Sequence, residues 1–362
     1  MSRRVSILVT NYNYADYVGQ AIESALAVRC GDKEIVVVDD GSTDRSREVI
    51  ERYRDRIDRI IFTENQGQPA AANVAFAAST GDIVFFLDSD DMYLPQIAER
   101  VLAVWRDGVS KVQFPMLNAD RDGVPNGTMF PNYASSIPPE EIRRSLIETG
   151  MYQWAPTTGN AWSREFLKHV FPVPEKLTKG FDSFMNPTAP LYGDVLTLME
   201  PLVIYRIHGA NSWAQADFDP ERLLYYIEQD LLRTDVYLAG QAARIGVRLR
   251  PNPLTNNVSH LMYRLGAKRM LPGRYPIPHE SVLRLLAYAG PAVLRDRGMG
   301  KLAKLFVLNW FLAVAVLPRP LAFHVMKLRF AAASRGEFFL KVMRAFGILR
   351  EDARRKLAMP QG

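Results

Sequence analysis

In the first hundred residues, short unbroken apolar runs alternate with segments of helical spacing, and each apolar run ends in a polar cluster. Residues 5–9 read as a strand that gives way to Thr10-Asn11-Tyr12-Asn13. Residues 34–39, 57–62 and 83–87 read as three further strands. Residues 17–28, 45–53, 69–78 and 95–106 place apolar side chains at helical intervals. Runs that are apolar throughout, rather than alternating, fit strands buried on both faces of a helix-covered parallel sheet. Such sheets bind ligands at the carboxyl ends of their strands. Asp39-Asp40 closes the second strand there, and Asp88-Ser89-Asp90-Asp91 closes the fourth.

After this regular part the pattern loosens. Residues 107–137 read as loop-rich, followed by a helix over 139–147, an extended run over 157–162 and short strands over 195–199 and 202–207. Beyond them, helices are expected over 220–244, 254–270, 280–295, 302–317 and 338–346, punctuated by prolines. The chain therefore divides into an α/β domain over residues 1–215 and a mostly helical region over 216–362.

At 48% hydrophobic and 23% charged residues the composition is globular, which excludes a wholly disordered chain. The single Cys30 excludes an intrachain disulfide framework and fits a reducing compartment. The apolar run near the start is too short for a signal-peptide core. The longest apolar stretch, 305–317, is broken by Asn309 and falls short of the ~18–20 residues that span a bilayer. A cytoplasmic protein is expected. Charge is unevenly placed: residues 1–240 hold 23 Lys and Arg against 34 Asp and Glu, whereas residues 241–362 hold 22 against 5. A basic tail on an acidic body implies an anionic partner, a membrane surface or nucleic acid.

Three carboxylates within residues 88–91 repel one another unless a cation offsets them. Clustered hard oxygens suit Mg²⁺ or Mn²⁺, which also hold phosphates; the plainer alternative is an acidic turn capping the next helix. No G-x-G-x-x-G is present, and Gly300-Lys301 lacks the spacing of a Walker A loop.

These residues, taken in order, resemble glycosyltransferase family 2. The resemblance rests on residues 5–13, on Ile35-Val36-Val37-Val38-Asp39-Asp40-Gly41-Ser42-Thr43-Asp44, on Asn65-Gln66-Gly67 with Ala71-Ala72-Asn73, and on Phe86-Leu87-Asp88-Ser89-Asp90-Asp91. It covers roughly residues 1–215. It implies a GT-A, Rossmann-like mixed sheet with helices on both faces, and inverting, metal-dependent transfer from a nucleotide sugar, most often UDP-linked. By position it implies that Thr10, Asn11 and Tyr12 border the nucleotide, with the Tyr12 ring near the base and Asp40 accepting a hydrogen bond from it. Asn73 would border the nucleotide sugar, and Asp88 would face ribose or sugar. Asp90 or Asp91 would hold Mn²⁺ or Mg²⁺.

A later block, Lys179-Gly180-Phe181-Asp182-Ser183-Phe184 followed by Tyr205-Arg206-Ile207-His208, resembles the family's catalytic stretch, with Phe181 where the family usually has Glu. Asp182 falls at the position of the catalytic base. Its alternative is an ordinary helix N-cap. Arg206 and His208 would meet the diphosphate or the metal. Trp154 and the run over residues 157–162, with Asn160 and Trp162, would line the acceptor pocket, since aromatic faces stack on sugar rings; the alternative is that these aromatics belong to the core, and Arg164 is similarly open.

In the tail, residues 302–312 are apolar on nearly all sides, and Lys301, Lys304, Arg319, Lys327, Arg329 and Arg335 flank or interrupt this region. Basic flanks beside Trp310 and Phe311 suit a helix in a membrane interface; the alternative is a helical-bundle core with a basic rim. No recognition motif supports nucleic acid as the partner. The expected setting is peripheral contact with the inner face of the cell membrane, a glycan or lipid-linked acceptor, and bacterial surface polysaccharide assembly. Two rivals remain: a nucleotidyltransferase, which lacks its Gly-rich phosphate loop here, and a non-catalytic partner with the same fold, which would be expected to have lost the acidic residues.

Overall fold

The computed structural model describes residues 3–133, 135–174, 180–208 and 218–330; Arg335 and the helix expected over 338–346 lie outside them. Contacts divide the described chain into two compact units. One holds residues up to Arg144 together with Gln153–His208, and the other holds Ser145–Tyr152 with the residues beyond 208.

The first unit opens with β1 (Val5–Asn11), α1 (Val18–Ala27), β2 (Lys33–Asp40), α2 (Ser46–Glu51), β3 (Arg59–Thr63), α3 (Gln68–Ala78), β4 (Ile83–Asp88), β5 (Met92–Tyr93) and α4 (Ile97–Val104). It continues with β6 (Val109–Gln113), β7 (Met116–Ala119), β8 (Pro125–Phe130), α5 (Pro139–Thr149), which runs into the second unit, β9 (Asn160–Ser163), α6 (Arg164–Val170), α7 (Asp182–Tyr192), β10 (Asp194–Thr197) and β11 (Val203–Arg206).

Seven strands form the main sheet in the order β10-β6-β9-β4-β1-β2-β3. β1 runs parallel to β2 and β4, while β9 lies antiparallel between β4 and β6, so the sheet is mixed. Every residue of β1 is buried, as the continuous apolar run requires. The register sets Asn11 beside Asp39 and Thr10 beside Asp88. The polar clusters read from the sequence thus share one edge of the sheet.

A second sheet, β5-β11-β7-β8, begins immediately beyond the acidic turn. β5 follows Asp91 and pairs antiparallel with β11, placing Met92 opposite Ile204. This short pairing brings residues 206–208 back onto residues 88–91.

The segment 107–137 is not loop-rich. It contains three strands, and β6 lies buried between β10 and β9. Its buried polar residues have partners: Ser110 Oγ donates to the Asp194 carbonyl, Lys111 Nζ to Asn186 Oδ1 at 2.7 Å and Gln113 Nε2 to Thr197 Oγ1 at 3.0 Å. Pairing makes burial of such groups tolerable, and it also gives the strand a polar sequence.

The second unit contains α8 (Glu221–Leu231), which passes through a wider π-type turn (Leu232–Leu238) into α9 (Ala239–Arg244). There follow α10 (Val258–Met270), α11 (Val282–Arg295), α12 (Lys301–Val316) and α13 (Arg319–Phe330). Helices α10 to α13 enclose a core of their own that includes Leu261, Leu265, Leu285, Trp310 and Phe311. Helix α13 starts among prolines that read as breakers. Pro320 is its second residue, where the missing N–H would have had no helical partner.

Candidate active site

The site is assembled at the carboxyl ends of β1, β2 and β4. At the end of β2, buried Asp39 accepts from Asn11 Nδ2 at 2.8 Å, from the Ser42 hydroxyl and backbone N–H, and from Arg47 Nε at 3.1 Å. Asp40 accepts from the backbone N–H groups of Gln66 at 3.0 Å and Gly67 at 2.8 Å. It thereby fixes the loop that leads into α3, and its oxygens keep lone pairs to spare. Gly41 permits the turn: its φ is +72°, and a Cβ there would lie 2.4 Å from the Asn65 nitrogen. Tyr12, beyond the end of β1, is 44% exposed, so its ring is available for stacking.

At the end of β4 the three carboxylates diverge. Asp88 Oδ1 accepts from Gln68 Nε2 at 3.0 Å, and its other oxygen lies 3.4 Å from the Thr158 hydroxyl. Burial, with Asp90 and Asp182 nearby, pushes Asp88 up to about 8. Asp90 Oδ2 lies 3.1 Å from His208 Nε2, and the imidazole stacks on Tyr17 with Tyr14 at its edge. Asp91 is buried, and its Oδ1 accepts the Arg206 backbone N–H at 3.1 Å. Burial, together with Asp90 and Asp88, holds Asp91 well above the usual carboxylate range. Its Oδ2 is buried without a hydrogen-bond partner among the described residues. Burial and the same three carboxylates raise the Tyr14 hydroxyl, which marks that ring as a wall of the cluster.

Asp182 opens α7 as its first helical residue; the N-cap position belongs to Phe181, without a side-chain cap bond. The plain N-cap role is therefore not the one it occupies. Gly180 has φ +63°, and a Cβ there would lie 2.6 Å from Asp182 Oδ1. The charge of Asp182 is felt by Asp88, by Tyr205 on β11 and by the fully buried Lys111 on β6. Burial pulls the Lys111 ammonium well below its usual range, and Asp182 opposes that fall.

Other residues singled out in the sequence are engaged elsewhere. The Arg206 guanidinium is buried, donating to the Arg121 carbonyl at 3.0 Å and Gln20 Oε1 at 2.7 Å, and lies over the Tyr17 ring. Its side chain braces the site from behind, and its backbone N–H touches the acidic turn. Asn73 exchanges two hydrogen bonds with the Val173 backbone, tying α3 to the segment at residue 173. Asn160 and Trp162 are wholly buried, which removes both from an acceptor pocket. Asn160 Nδ2 donates to the carbonyls of 155–157, and Trp162 carries Lys111 over its ring and stacks on Phe166. Arg164 lies over Phe76 and bonds Gly81 and Ser79. Trp154 alone of the three acceptor candidates is only partly buried.

Gln68, Tyr14 and Tyr17 were not anticipated, and Thr158, read as part of an acceptor-lining run, is buried against Asp88. The run Tyr12-Asn13-Tyr14-Ala15-Asp16-Tyr17 was the only sign of the two tyrosines. No grouping of three acidic or histidine side chains among the described residues has the geometry of a ready metal site. Asp90 and His208 stand together, whereas Asp91 faces β11.

A mixed α/β sheet with acidic residues at adjoining strand ends, stitched to a small second sheet, defines the GT-A class of fold. S. aureus TarS, in its complex with UDP-GlcNAc, has this fold: the match covers 90% of this chain and 91% of that one, with a TM-score of 0.53 at 17% identity. The sequence profile described as "Glycosyl transferase family 2" matches residues 6–159. An uncharacterized glycosyltransferase from Nostoc sp. is 36% identical over 265 residues, 71% of this chain and 81% of that protein. Chondroitin synthase from Escherichia coli is 30% identical over 269 residues, which are 70% of this chain but 34% of the synthase. The chain belongs to glycosyltransferase family 2.

Proposed function

We propose that this glycosyltransferase moves a sugar from a nucleoside-diphosphate donor, UDP-linked in the first instance, to an acceptor hydroxyl with inversion, in the assembly of a bacterial surface polysaccharide. The observation that carries this reading is the meeting of five chain segments at one sheet edge: Asn11 with Asp39, Asp88 to Asp91, His208 on Asp90, and Asp182 close enough to raise Asp88. In it, Tyr12 stacks on the base and Asp40 accepts from it, while Asp88 receives a ribose or sugar hydroxyl. Asp90 and His208 are the residues that would hold Mn²⁺ or Mg²⁺. The unpartnered Asp91 oxygen and the raised Asp88 and Asp91 fit a site short of positive charge. When bound, the cation supplies charge neutralisation for the departing diphosphate.

Asp182 accepts the acceptor's proton on the side opposite the leaving group. Trp154 offers an aromatic face for the acceptor sugar. The domain boundaries, 1–215 and 216–362, belong to the same reading, as does a peripheral position at the inner face of a membrane, where a lipid-linked acceptor is presented.

The test is a thermal-shift series with UDP, GDP, dTDP and CMP, with and without Mn²⁺. A ligand binding only the folded state raises the melting point. One nucleotide should do so in a metal-dependent way. Asp90→Asn should abolish the metal dependence, and Asp182→Asn should keep binding while turnover disappears. Absence of any shift in folded protein would overturn the reading.

A further inference from the structure

Helix α12 is apolar on both of its faces. Ala303, Val307, Trp310, Phe311 and Val314 point into the bundle core. On the opposite side Leu302, Leu305, Leu312 and Val316 are each more than half exposed, with Asn309 between them. Those positions recur at three- and four-residue steps, so they form one stripe running the length of the helix. The sixteen residues of α12 span ~24 Å along the axis. The stripe widens onto α11: Lys304 Nζ donates to the carbonyl of Leu294, itself exposed, which sets that leucine beside the start of α12. Continuous exposed apolar surface marks an interaction site.

Charge identifies the occupant. From α11 to α13 there are eight basic residues and one acidic, Asp296. Lys301 and Lys304 lie at one end of the stripe and Arg319 just past the other. Two copies of the chain packing stripe to stripe would set basic ends against basic ends. The stripe also lacks the exposed aromatic anchors typical of protein interfaces. Among the described residues no helix is long and apolar enough to cross a membrane. A flat, leucine-rich face with cations at both ends matches a helix lying in the plane of an anionic bilayer, its apolar side sunk ~5–10 Å.

We propose that the outward face of α12, extended by Leu294, is a docking surface for an anionic lipid membrane. The proposal deepens the peripheral-membrane part of the functional reading and rests on it. The aromatic residues that suggested such a helix in the sequence, Trp310 and Phe311, are not the contact; leucine and valine are.

The full chain is floated with phosphatidylcholine vesicles, with and without phosphatidylglycerol, at ~0.1 M salt. Wild type should partition onto the phosphatidylglycerol vesicles, and Leu305→Glu/Leu312→Glu should bind at least about tenfold less. A second variant, Lys301→Glu/Arg319→Glu, leaves the stripe intact and should lose binding to anionic vesicles. The cooperative thermal unfolding transition, measured on the same samples with and without nucleotide, reports whether each variant is folded. Its nucleotide-induced shift separates the two readings, since loss of the shift in wild type strikes the transferase reading and not the lipid face. Wild type that ignores both vesicle types, or a folded leucine variant that still floats, overturns the proposal. So does a stripe-dependent dimer in light scattering, which would assign the face to a second copy.

Discussion

Asp91 illustrates how one carboxylate serves structure and charge at once. Its Oδ1 ties the end of β4 to the end of β11, while its Oδ2 is buried unpartnered beside two further carboxylates. Asp91→Asn keeps an acceptor for the Arg206 N–H and removes a buried carboxyl that must either take up a proton on folding or stay charged beside Asp90 and Asp88. In protein freed of divalent ions it should raise the melting temperature, by an amount corresponding to about 1 kcal/mol. Asp91→Ala should lower it, because the Arg206 N–H then loses its partner. Calorimetry of both variants in chelator decides the point; a lower melting temperature for Asp91→Asn would show that the carboxylates are not in strain. The sequence displayed this cluster openly, but not which carboxylate faces which way. That depends on β5 pairing with β11, a contact between residues about 110 positions apart. Asn160 and Trp162 were misread for a related reason: chemical type marks a residue as capable of binding, and only packing decides whether it meets solvent.

Among the elements, β1, β2, β4 and α3 were legible because their apolar periodicity is undiluted. β6 was hidden because Ser110, Lys111 and Gln113 find partners on distant segments. The opening of β2 shows the same device at the sheet edge away from the site. Glu34 there is buried, and it accepts from Ser6 Oγ at 2.6 Å, from the Thr80 hydroxyl at 2.9 Å and from the Gly81 N–H at 3.0 Å. Burial alone would raise it, but the bonds from Ser6, Thr80 and Gly81 prevail and hold it below the usual glutamate range. A carboxylate lowered in the folded state contributes stability above its ordinary value near 4.5, and that contribution disappears as pH falls through the lower, folded value. Glu34→Gln should therefore cost roughly 1–3 kcal/mol at neutral pH. The difference from wild type should narrow progressively below that ordinary value. Urea unfolding at several pH values measures it, and a difference independent of pH would assign the loss to packing alone.

At the scale of the whole molecule, the charge asymmetry was visible in the sequence, and it predicts opposite salt responses in one chain. Residues 1–240, which include the candidate site, carry an excess of acid, while the helices from α11 to α13 carry an excess of base. A nucleotide sugar is itself anionic, so at low ionic strength it approaches a repulsive surface. Raising salt shortens the screening length from ~30 Å at 0.01 M to ~8 Å at 0.15 M and weakens that repulsion. With metal saturating, the donor KM should stay level or fall over this range. Vesicle binding by the basic helices should weaken over the same range, because attraction to anionic headgroups is screened in the same way. The two responses are separable in one preparation by measuring donor KM in detergent-free buffer and flotation in parallel. A donor KM that climbs steeply with salt would mean that exposed cations such as Arg47 or Arg121 draw the diphosphate in and dominate the acidic surroundings. The local field at the strand ends, and not the charge of the surrounding fold, would then govern donor capture.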